Sequence, residues 1–235
     1  RTYYRDLIAQ GLVTEKQAAA CEKLLSFTED YAGLREVEIA FECVTEKLEV
    51  KREVYRKLEE ACPELKAVAS TTSAISPEDL AKGMRRKEKV MVAHPYNPPH
   101  MVPCVELVKN DFTDQGAIDA VVELLEYCGR EVCRMNKAAP GFIANRLQHA
   151  LYREAVYMVE QDICSPEDID KCIRSSWGPR YTSIGLFDHF DYAGLDLIAN
   201  IERYLYPDLC DTKAVHPSLQ ERLDRGDLGY KTGVG

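Results

Sequence analysis

The feature that most constrains the fold is a change in the hydrophobic pattern near residue 140. Before it, short and nearly continuous apolar runs alternate with segments whose apolar residues recur at helical spacing. Such runs are typical of strands that are covered on both faces of a parallel sheet. The runs are Val37 to Val44, Ala67 to Ser70, Val90 to Ala93 and Val105 to Val108. The alternation of strands and helices predicts a doubly wound α/β domain.

Helical patterns surround these runs and continue after them. Two short helices joined at Gly11 are expected in the first 26 residues, and helices are predicted at about Lys47 to Ala61 and Asp114 to Cys128. After Ala139-Pro140-Gly141 no strand pattern returns, and Ser165-Pro166 has the form of an N-cap followed by a first-turn proline. We therefore predict an α/β domain over residues 1–138 and an all-α domain over residues 139–235.

Composition excludes several classes of partner and site. The net charge of −9 argues against nucleic acid and anionic lipid as partners, because both require a basic face. No apolar run approaches the length of a membrane helix, so we expect no membrane contact. The nine cysteines include no C-x-x-C pair and the five histidines no H-x-x-x-H pair, so we expect reduced, mostly buried thiols, a cytoplasmic location and no metal site.

A doubly wound sheet raises the question of a dinucleotide site, whose usual mark is a glycine-rich turn between a strand and a helix. No G-x-G-x-x-G motif is present. The glycines of the C-terminal segment GDLGYKTGVG follow no strand and open no helix, and are typical of a loop. Either the chain does not bind a nucleotide, or its opening βαβ unit is not part of this sequence.

Four stretches, taken together and in register, resemble the 3-hydroxyacyl-CoA dehydrogenase family. They are Ser70-Thr71-Thr72-Ser73, His94-Pro95-Tyr96-Asn97-Pro98, Val105-Glu106-Leu107-Val108 and Ala139-Pro140-Gly141-Phe142-Ile143-Ala144-Asn145-Arg146. The match runs along essentially the whole chain. It implies a Rossmann-like NAD-binding domain that is incomplete at its N-terminus, an all-α substrate and dimerisation domain, NAD as cofactor, and a homodimer.

The chemistry of such a dehydrogenase requires a base with a pKa near neutrality, and histidine meets this requirement. His94 follows a strand, where open α/β sheets bind ligands. A lone histidine there is more often structural, but the resemblance pairs it with Glu106 as catalytic partner. The resemblance also assigns Ser73 and Asn145 as hydrogen-bond donors to the reacting oxygen. Taken alone, Glu106 would be a surface charge and the other two residues would be turn or cap residues.

For the cofactor, the resemblance points to Glu46, Lys51, Ser73 and Asn97. Without it, Glu46 and Lys51 would be interpreted as a solvated charge pair at a helix start. The resemblance also implies that the opening strand, glycine turn, first helix and second strand are absent. The sheet would then be split at its centre, between a strand near Ser26 to Thr28 and the strand at Val37 to Val44. We expect the chain alone to bind NADH poorly.

The sequence leaves the identity of the substrate undecided. Acyl-CoA members of the family commonly read S-N-T-S-S and H-F-F-N-P where this chain has Ser70-Thr71-Thr72-Ser73-Ala74 and His94-Pro95-Tyr96-Asn97-Pro98. The latter version looks more like the branch with L-gulonate 3-dehydrogenase (lambda-crystallin) and carnitine dehydrogenase. In such a protein Arg180 could bind the carboxylate of a small acid, although a solvated loop charge is the simpler interpretation. Three hypotheses remain: a 3-hydroxybutyryl-CoA dehydrogenase, a dehydrogenase of a small hydroxy acid, and a catalytically incompetent, crystallin-like protein.

Overall fold

The computed structural model describes residues 2–234; Arg1 and Gly235, the last residue of the C-terminal glycine segment, lie outside the described residues. The chain divides into two compact units, Arg1–Phe142 and Ile143–Gly235, which are described separately below. The first unit holds the sheet and the second is helical. The fold class predicted from the sequence, a Rossmann-like α/β domain followed by an all-α domain, is confirmed.

The first unit is built on a five-stranded sheet in the order β1-β2-β3-β4-β5. The strands are β1 (Ile39–Glu42), β2 (Ala67–Ser70), β3 (Val90–Pro95), β4 (Cys104–Val108) and β5 (Glu131–Met135). Strands β1, β2 and β3 run parallel, as do β4 and β5. Between the two groups, β4 runs antiparallel to β3.

The antiparallel pair corrects the prediction of a wholly parallel sheet. Only the segment from Tyr96 to Pro103 joins β3 to β4. A parallel connection needs a crossover of about a dozen residues or more, so this short loop can only turn the chain back beside β3. Strand β5 is absent from the predicted strands, because the charged residues Glu131 and Arg134 prevent a continuous apolar run over Glu131 to Met135.

The expected strand near Ser26 to Thr28 is also wrong. These residues are irregular, and the Thr28 hydroxyl accepts a hydrogen bond from the Asp30 amide at 3.0 Å in a local turn. The side chain of Asp30 then caps a short 3-10 helix at Tyr31–Leu34. The sheet is therefore not split at its centre: β1 to β5 are continuous, and β1 forms one edge of the described sheet.

Helices cover both faces of the sheet and form a separate core with each. Helices α3 (Leu48–Ala61) and α4 (Pro77–Ala81) pack on the face that carries Val68, Val90, Val92 and Val108. Helix α5 (Gln115–Tyr127) packs on the face with Ala69, Met91, Ala93 and Leu107. Because neighbouring residues of β2 and β3 point to opposite cores, both faces are buried, as the continuous apolar runs predict.

Two short helices precede the sheet, as expected. They are α1 (Thr2–Ala9) and α2 (Glu15–Glu22). Thr14 and Gln17 form a reciprocal capping box at the start of α2. This arrangement satisfies two of the amides that a helix start leaves without partners.

The second unit contains the helices α6 (Ala144–Glu160), α7 (Pro166–Ser175), α8 (Trp177–Arg180), α9 (Leu186–Ala193), α10 (Leu195–Leu205) and α11 (Pro217–Arg225). Ser165 caps α7 as predicted, with Pro166 in its first turn. Among the described residues of this unit, His216 is the one buried side chain. No helix in the described part of the chain combines the length and the apolar character needed to cross a bilayer.

The cysteines correct another expectation. All nine are free thiols, but Cys62 alone is fully buried, while Cys21, Cys43, Cys128 and Cys172 are exposed. The remaining four are partly buried. The prediction of mostly buried thiols is therefore wrong, because several cysteines lie on the outer faces of helices or at strand ends, where an apolar sequence pattern does not ensure burial.

Candidate active site

The His94–Glu106 pair lies between strands β3 and β4. The two residues are directly opposite each other in the antiparallel register, and Nδ1 of His94 lies 2.9 Å from Oε2 of Glu106. Taken alone, Glu106 is interpreted from the sequence as a surface charge, whereas it is buried in the middle of β4. The antiparallel turn therefore brings the carboxylate into direct register with the imidazole.

The surroundings of this pair are mostly apolar. The Glu106 side chain is 1% exposed and the His94 side chain 11%. The His94 ring packs edge-on against Tyr96, with 5.0 Å between ring centroids, and against Phe142 at 5.6 Å. Because Nδ1 is bound to Glu106, Nε2 is the nitrogen that can meet a ligand.

Phe142 reaches His94 through an unusual backbone turn. Gly141 has φ +78° and Phe142 has φ +48°, both in the left-handed region. A large side chain adopts that region only where its surroundings hold it. Here the Phe142 ring is 2% exposed and belongs to the core between α3 and the sheet. The Pro140-Gly141-Phe142 segment thus supplies one wall of the site.

Three further titratable groups surround Glu106, and sequence reasoning missed them. Burial and the nearby Glu106 carboxylate raise the pKa of the Tyr96 phenol. Burial, together with Cys133, raises the pKa of the Cys104 thiol to about 11, and the two sulfur atoms are 3.8 Å apart. At neutral pH the phenol and the Cys104 thiol are therefore protonated.

A second polar cluster lies at the carboxyl end of β1. The buried Glu42 carboxylate contacts Nζ of Lys51, at 2.9 Å from Oε1, and the same ammonium group lies 3.2 Å from Oε2 of Glu46. The Lys51 side chain is 1% exposed. The interpretation of Glu46 and Lys51 as a solvated charge pair is therefore wrong for Lys51. Sequence reasoning also missed Glu42, the polar residue that closes the apolar run of β1.

The remaining predicted residues are in loops and in the helical unit. Ser73 and Asn97 are exposed in the segments that follow β2 and β3. The structure thus brings Glu46, Ser73 and Asn97 to the edge of the sheet where β1, β2 and β3 end, which is where open α/β sheets bind ligands. In the second unit, Asn145 lies in the first turn of α6, and Arg180, the last residue of α8, is exposed.

These groups fit a nicotinamide cofactor. The Glu46 side chain is 47% exposed and is held from behind by Lys51, so its carboxylate can accept hydrogen bonds from ribose hydroxyls. The described residues form no cluster of three or more His, Cys, Asp or Glu side chains that could hold a metal ion.

Comparisons with known proteins agree with this geometry. Residues 1–138 match the model of the 3-hydroxyacyl-CoA dehydrogenase NAD-binding domain, and residues 141–235 match that of the C-terminal domain. The 5-formyl-3-hydroxy-2-methylpyridine 4-carboxylate 5-dehydrogenase of Mesorhizobium japonicum is 32% identical over 89% of this chain and 68% of its own length. An L-carnitine dehydrogenase/betainyl-CoA thioesterase of Rhizobium is 37% identical over 65% of this chain.

A solved structure extends the similarity to the fold. The (S)-3-hydroxybutyryl-CoA dehydrogenase of Ralstonia eutropha superimposes with a TM-score of 0.78 and 28% identity, over 100% of this chain and 82% of the other. The chain spans only 31% of the length of the Rhizobium relative. The matched models and the strand-edge His94–Glu106 pair lead to the same conclusion: the chain belongs to the 3-hydroxyacyl-CoA dehydrogenase family.

Proposed function

We propose that the protein is an NAD-dependent dehydrogenase that oxidises a 3-hydroxy group to a 3-keto group. The observation that carries this proposal is the His94–Glu106 pair, with Nδ1 2.9 Å from the carboxylate, beside the edge of the sheet where the parallel strands end. Family membership supports it, since the first unit matches an NAD-binding domain and the Mesorhizobium and Rhizobium relatives are named as dehydrogenases.

In the proposed reaction, Nε2 of His94 removes the proton of the substrate hydroxyl. NAD, when bound, accepts the hydride from the carbinol carbon. The Glu106 carboxylate fixes the tautomer of the imidazole and stabilises the imidazolium that forms. Ser73 and Asn145 hydrogen-bond the reacting oxygen and hold it in line with the base. The division of roles follows the domains: residues 1–138 bind the cofactor, through Glu46, Lys51, Ser73 and Asn97, and residues 139–235 bind the substrate.

Two substrate classes stay in competition. The first is a 3-hydroxyacyl-CoA such as 3-hydroxybutyryl-CoA, which would place the protein in fatty acid metabolism. The second is a small hydroxy acid without CoA, of the L-gulonate or carnitine type. The exposed Arg180 favours the second class, since its guanidinium could bind a carboxylate. The Mesorhizobium relative is named for a pyridine carboxylate, and the Rhizobium relative is named for both L-carnitine and betainyl-CoA.

We further propose a homodimer formed through the helical unit, in the cytoplasm. The odd number of cysteines and the lack of any C-x-x-C pair support a reducing compartment. The helices of the second unit expose many large apolar side chains, among them Leu147, Leu151, Phe187, Leu195 and Tyr204. A second copy that covers this surface would supply the missing burial.

A substrate panel tests the proposed function. The intact protein is supplied with NAD and with 3-hydroxybutyryl-CoA, L-gulonate or L-carnitine, and NADH formation is followed by absorbance. We expect turnover with one of the three, and Arg180→Met should raise KM tenfold or more only if the substrate is a free acid, since it removes about one charge-assisted pair. An absence of NADH with all three substrates would favour the crystallin-like alternative.

A further inference from the structure

The carboxylate of Glu42 is among the most completely satisfied polar groups of the sheet unit. Glu42 is 3% exposed and closes β1. Its Oε2 accepts hydrogen bonds from the hydroxyls of Ser70 at 2.7 Å and Tyr55 at 2.8 Å, and its Oε1 accepts from the Val44 amide at 2.7 Å. Burial alone would raise the pKa of Glu42, but the hydrogen bonds from Lys51, Ser70, Tyr55 and Val44 outweigh it and lower the pKa.

The protons of the Lys51 ammonium group are all used in contacts within the protein. Its Nζ lies 2.9 and 3.1 Å from the two oxygens of Glu42, 3.4 Å from the Val44 carbonyl and 3.2 Å from the Glu46 carboxylate. An ammonium has three protons to donate, and these three groups use them. Lys51 therefore joins a buried carboxylate to a carboxylate that reaches solvent.

Glu46 is the outward end of this chain of contacts. Its Oε2 faces Lys51, and its Oε1 accepts a hydrogen bond from the Thr72 hydroxyl. That hydroxyl in turn accepts from the amides of Ala74 and Ile75, so the loop after β2 is tied to the same carboxylate. Glu46 thus has a fixed position, although nearly half of its side chain is exposed.

Stability alone gives no reason for such an arrangement. A buried ion pair is often no more stabilising than apolar residues of the same size, because both charges lose their hydration. Here α3 and β1 have an otherwise apolar contact in which Tyr55 and Leu58 are buried. The buried pair does achieve one thing that apolar side chains could not: it orients an exposed carboxylate.

We propose that Glu42 is a positioning residue. It holds the Lys51 ammonium and, through this group, holds the Glu46 carboxylate at the edge of the sheet where the cofactor ribose binds. The inference rests on the proposed NAD-dependent function. Glu42 does not contact the cofactor itself. The contribution of Lys51 to cofactor binding, assigned above, is then indirect: it acts through Glu46 instead of by direct contact.

Cofactor affinity in the intact protein tests this proposal. Glu42→Gln keeps the shape of the side chain and removes the charge, and we expect the Kd for NADH to rise about tenfold through the loss of orientation at Glu46. Tyr55→Phe is the matched control, because it removes one hydrogen bond to the same carboxylate and leaves the ion pair intact. An unchanged Kd in Glu42→Gln, beside a lower unfolding midpoint, would show a purely structural role and overturn the proposal.

A double-mutant cycle covers the case in which Glu42→Gln does not fold. Glu46→Gln, at a half-exposed position, should by itself reproduce the tenfold loss, and Lys51→Met should add little to it because both changes break the same chain of contacts. Additive losses in the double variant would show that Lys51 binds the cofactor independently, against the proposal. So would an unchanged Kd in Glu46→Gln.

A labelling experiment separates this proposal from the proposed function. Acetic anhydride modifies accessible amines, and mass spectrometry reads the modification of Lys51. We expect Lys51 to be protected in the wild type and in Tyr55→Phe, and modified in Glu42→Gln under conditions where that variant is folded. If the wild type does not bind NADH, the proposed function fails while the labelling still tests the positioning. Equal protection of Lys51 in Glu42→Gln would overturn the positioning role.

Discussion

The sheet unit and the helical unit solve the problem of burial in different ways. Every fully buried apolar side chain in the described part of the chain lies at or before Phe142. There the sheet has a packed core on each face, one with α3 and α4 and one with α5. The helical unit has amphipathic helices but leaves residues such as Leu147 and Leu195 more than half exposed. The sheet unit thus closes its own core, whereas the helical unit leaves an apolar surface exposed, which we propose is covered by a second copy.

Each unit also contains a histidine–glutamate pair, and the two pairs differ in what they can do. In the helical unit, Nδ1 of His216 lies 2.8 Å from Oε2 of Glu160, and Oε1 of Glu160 accepts from the Ser218 amide at 3.0 Å. His216 is the N-cap residue of α11, and its Nε2 is buried without a hydrogen-bond partner. This pair fastens α11 to α6, whereas the His94–Glu106 pair lies beside the sheet edge that we propose binds the cofactor and substrate. The Nδ1–Oε2 distances in the two pairs agree within 0.1 Å. The location of each pair in the fold therefore distinguishes their proposed roles.

The largest expected effect is on turnover. His94→Gln should lower kcat by about 10²- to 10⁴-fold with little change in the Kd for NADH, because the base acts in the transition state. His216→Gln is the control from the other unit, and its folded protein should keep wild-type turnover. The measurement is NADH formation at saturating substrate. A kcat of His94→Gln within tenfold of the wild-type value would contradict the assignment of His94 as the base.

The second effect concerns the apolar surface of α6. Leu151→Glu should raise the dimer dissociation constant about a hundredfold or more, because a charge would be buried in an apolar interface. Gln148→Glu, on the same helix, adds the same charge at a polar position and should leave the dimer intact. Size-exclusion chromatography with light scattering reads the mass. A wild-type protein with the mass of a single chain would contradict the proposed use of this surface.

A third experiment compares the two ways of burial directly. Leu65→Ala, in the closed core of the sheet unit, should lower the free energy of unfolding by about 2–5 kcal/mol at every protein concentration. Leu197 lies on α10, and its side chain is 52% exposed. Leu197→Ala should lower the free energy of unfolding by an amount that becomes smaller on dilution, since the second copy that covers this residue dissociates. Urea titrations at two protein concentrations measure both. A concentration-independent loss at Leu197 would mean that the helical unit buries this residue by itself.

The smallest effect is the pH dependence of the α6–α11 contact. Hydrogen bonds from Ser218, together with His216, lower the pKa of Glu160 from 4.5 to about 2. A lowered pKa contributes stability that is fully present above pH 4.5 and is lost as the pH falls towards 2. Glu160→Gln should therefore unfold at a slightly lower temperature at pH 7, and the difference should vanish near pH 2. Thermal unfolding followed by Trp177 fluorescence checks this, and an equal difference at both pH values would contradict it.

Much of the fold could be predicted because burial on two faces leaves a direct trace in the sequence. Continuous apolar runs marked β1 to β4, and Thr14 and Ser165 marked helix starts. Strand β5 was missed because none of its residues is fully buried and the charged residues Glu131 and Arg134 interrupt its apolar positions. The antiparallel direction of β4 depends on the length of a loop, which the apolar pattern does not record.

The candidate site was predicted in part. The strand end marked His94, and the resemblance to the dehydrogenase family added Glu106, Glu46 and Lys51; the structure brings these residues together as two pairs. Glu42 and Tyr96 were missed because their importance lies in contacts across the fold: Glu42 meets Ser70 from the next strand, 28 residues away. The same holds for His216 and Glu160, which are 56 residues apart.

The most direct test of the central claim follows the hydrogen that leaves the carbinol carbon. The intact protein is given NAD and a 3-hydroxy substrate with deuterium on carbon 3, and the reduced cofactor is analysed by mass spectrometry. We predict one deuterium in each NADH molecule formed, and loss of this product in His94→Gln. Reduced cofactor without deuterium would contradict a hydride transfer from that carbon. If His94→Gln formed the deuterated cofactor as fast as the wild type, the role of His94 as the base would be contradicted.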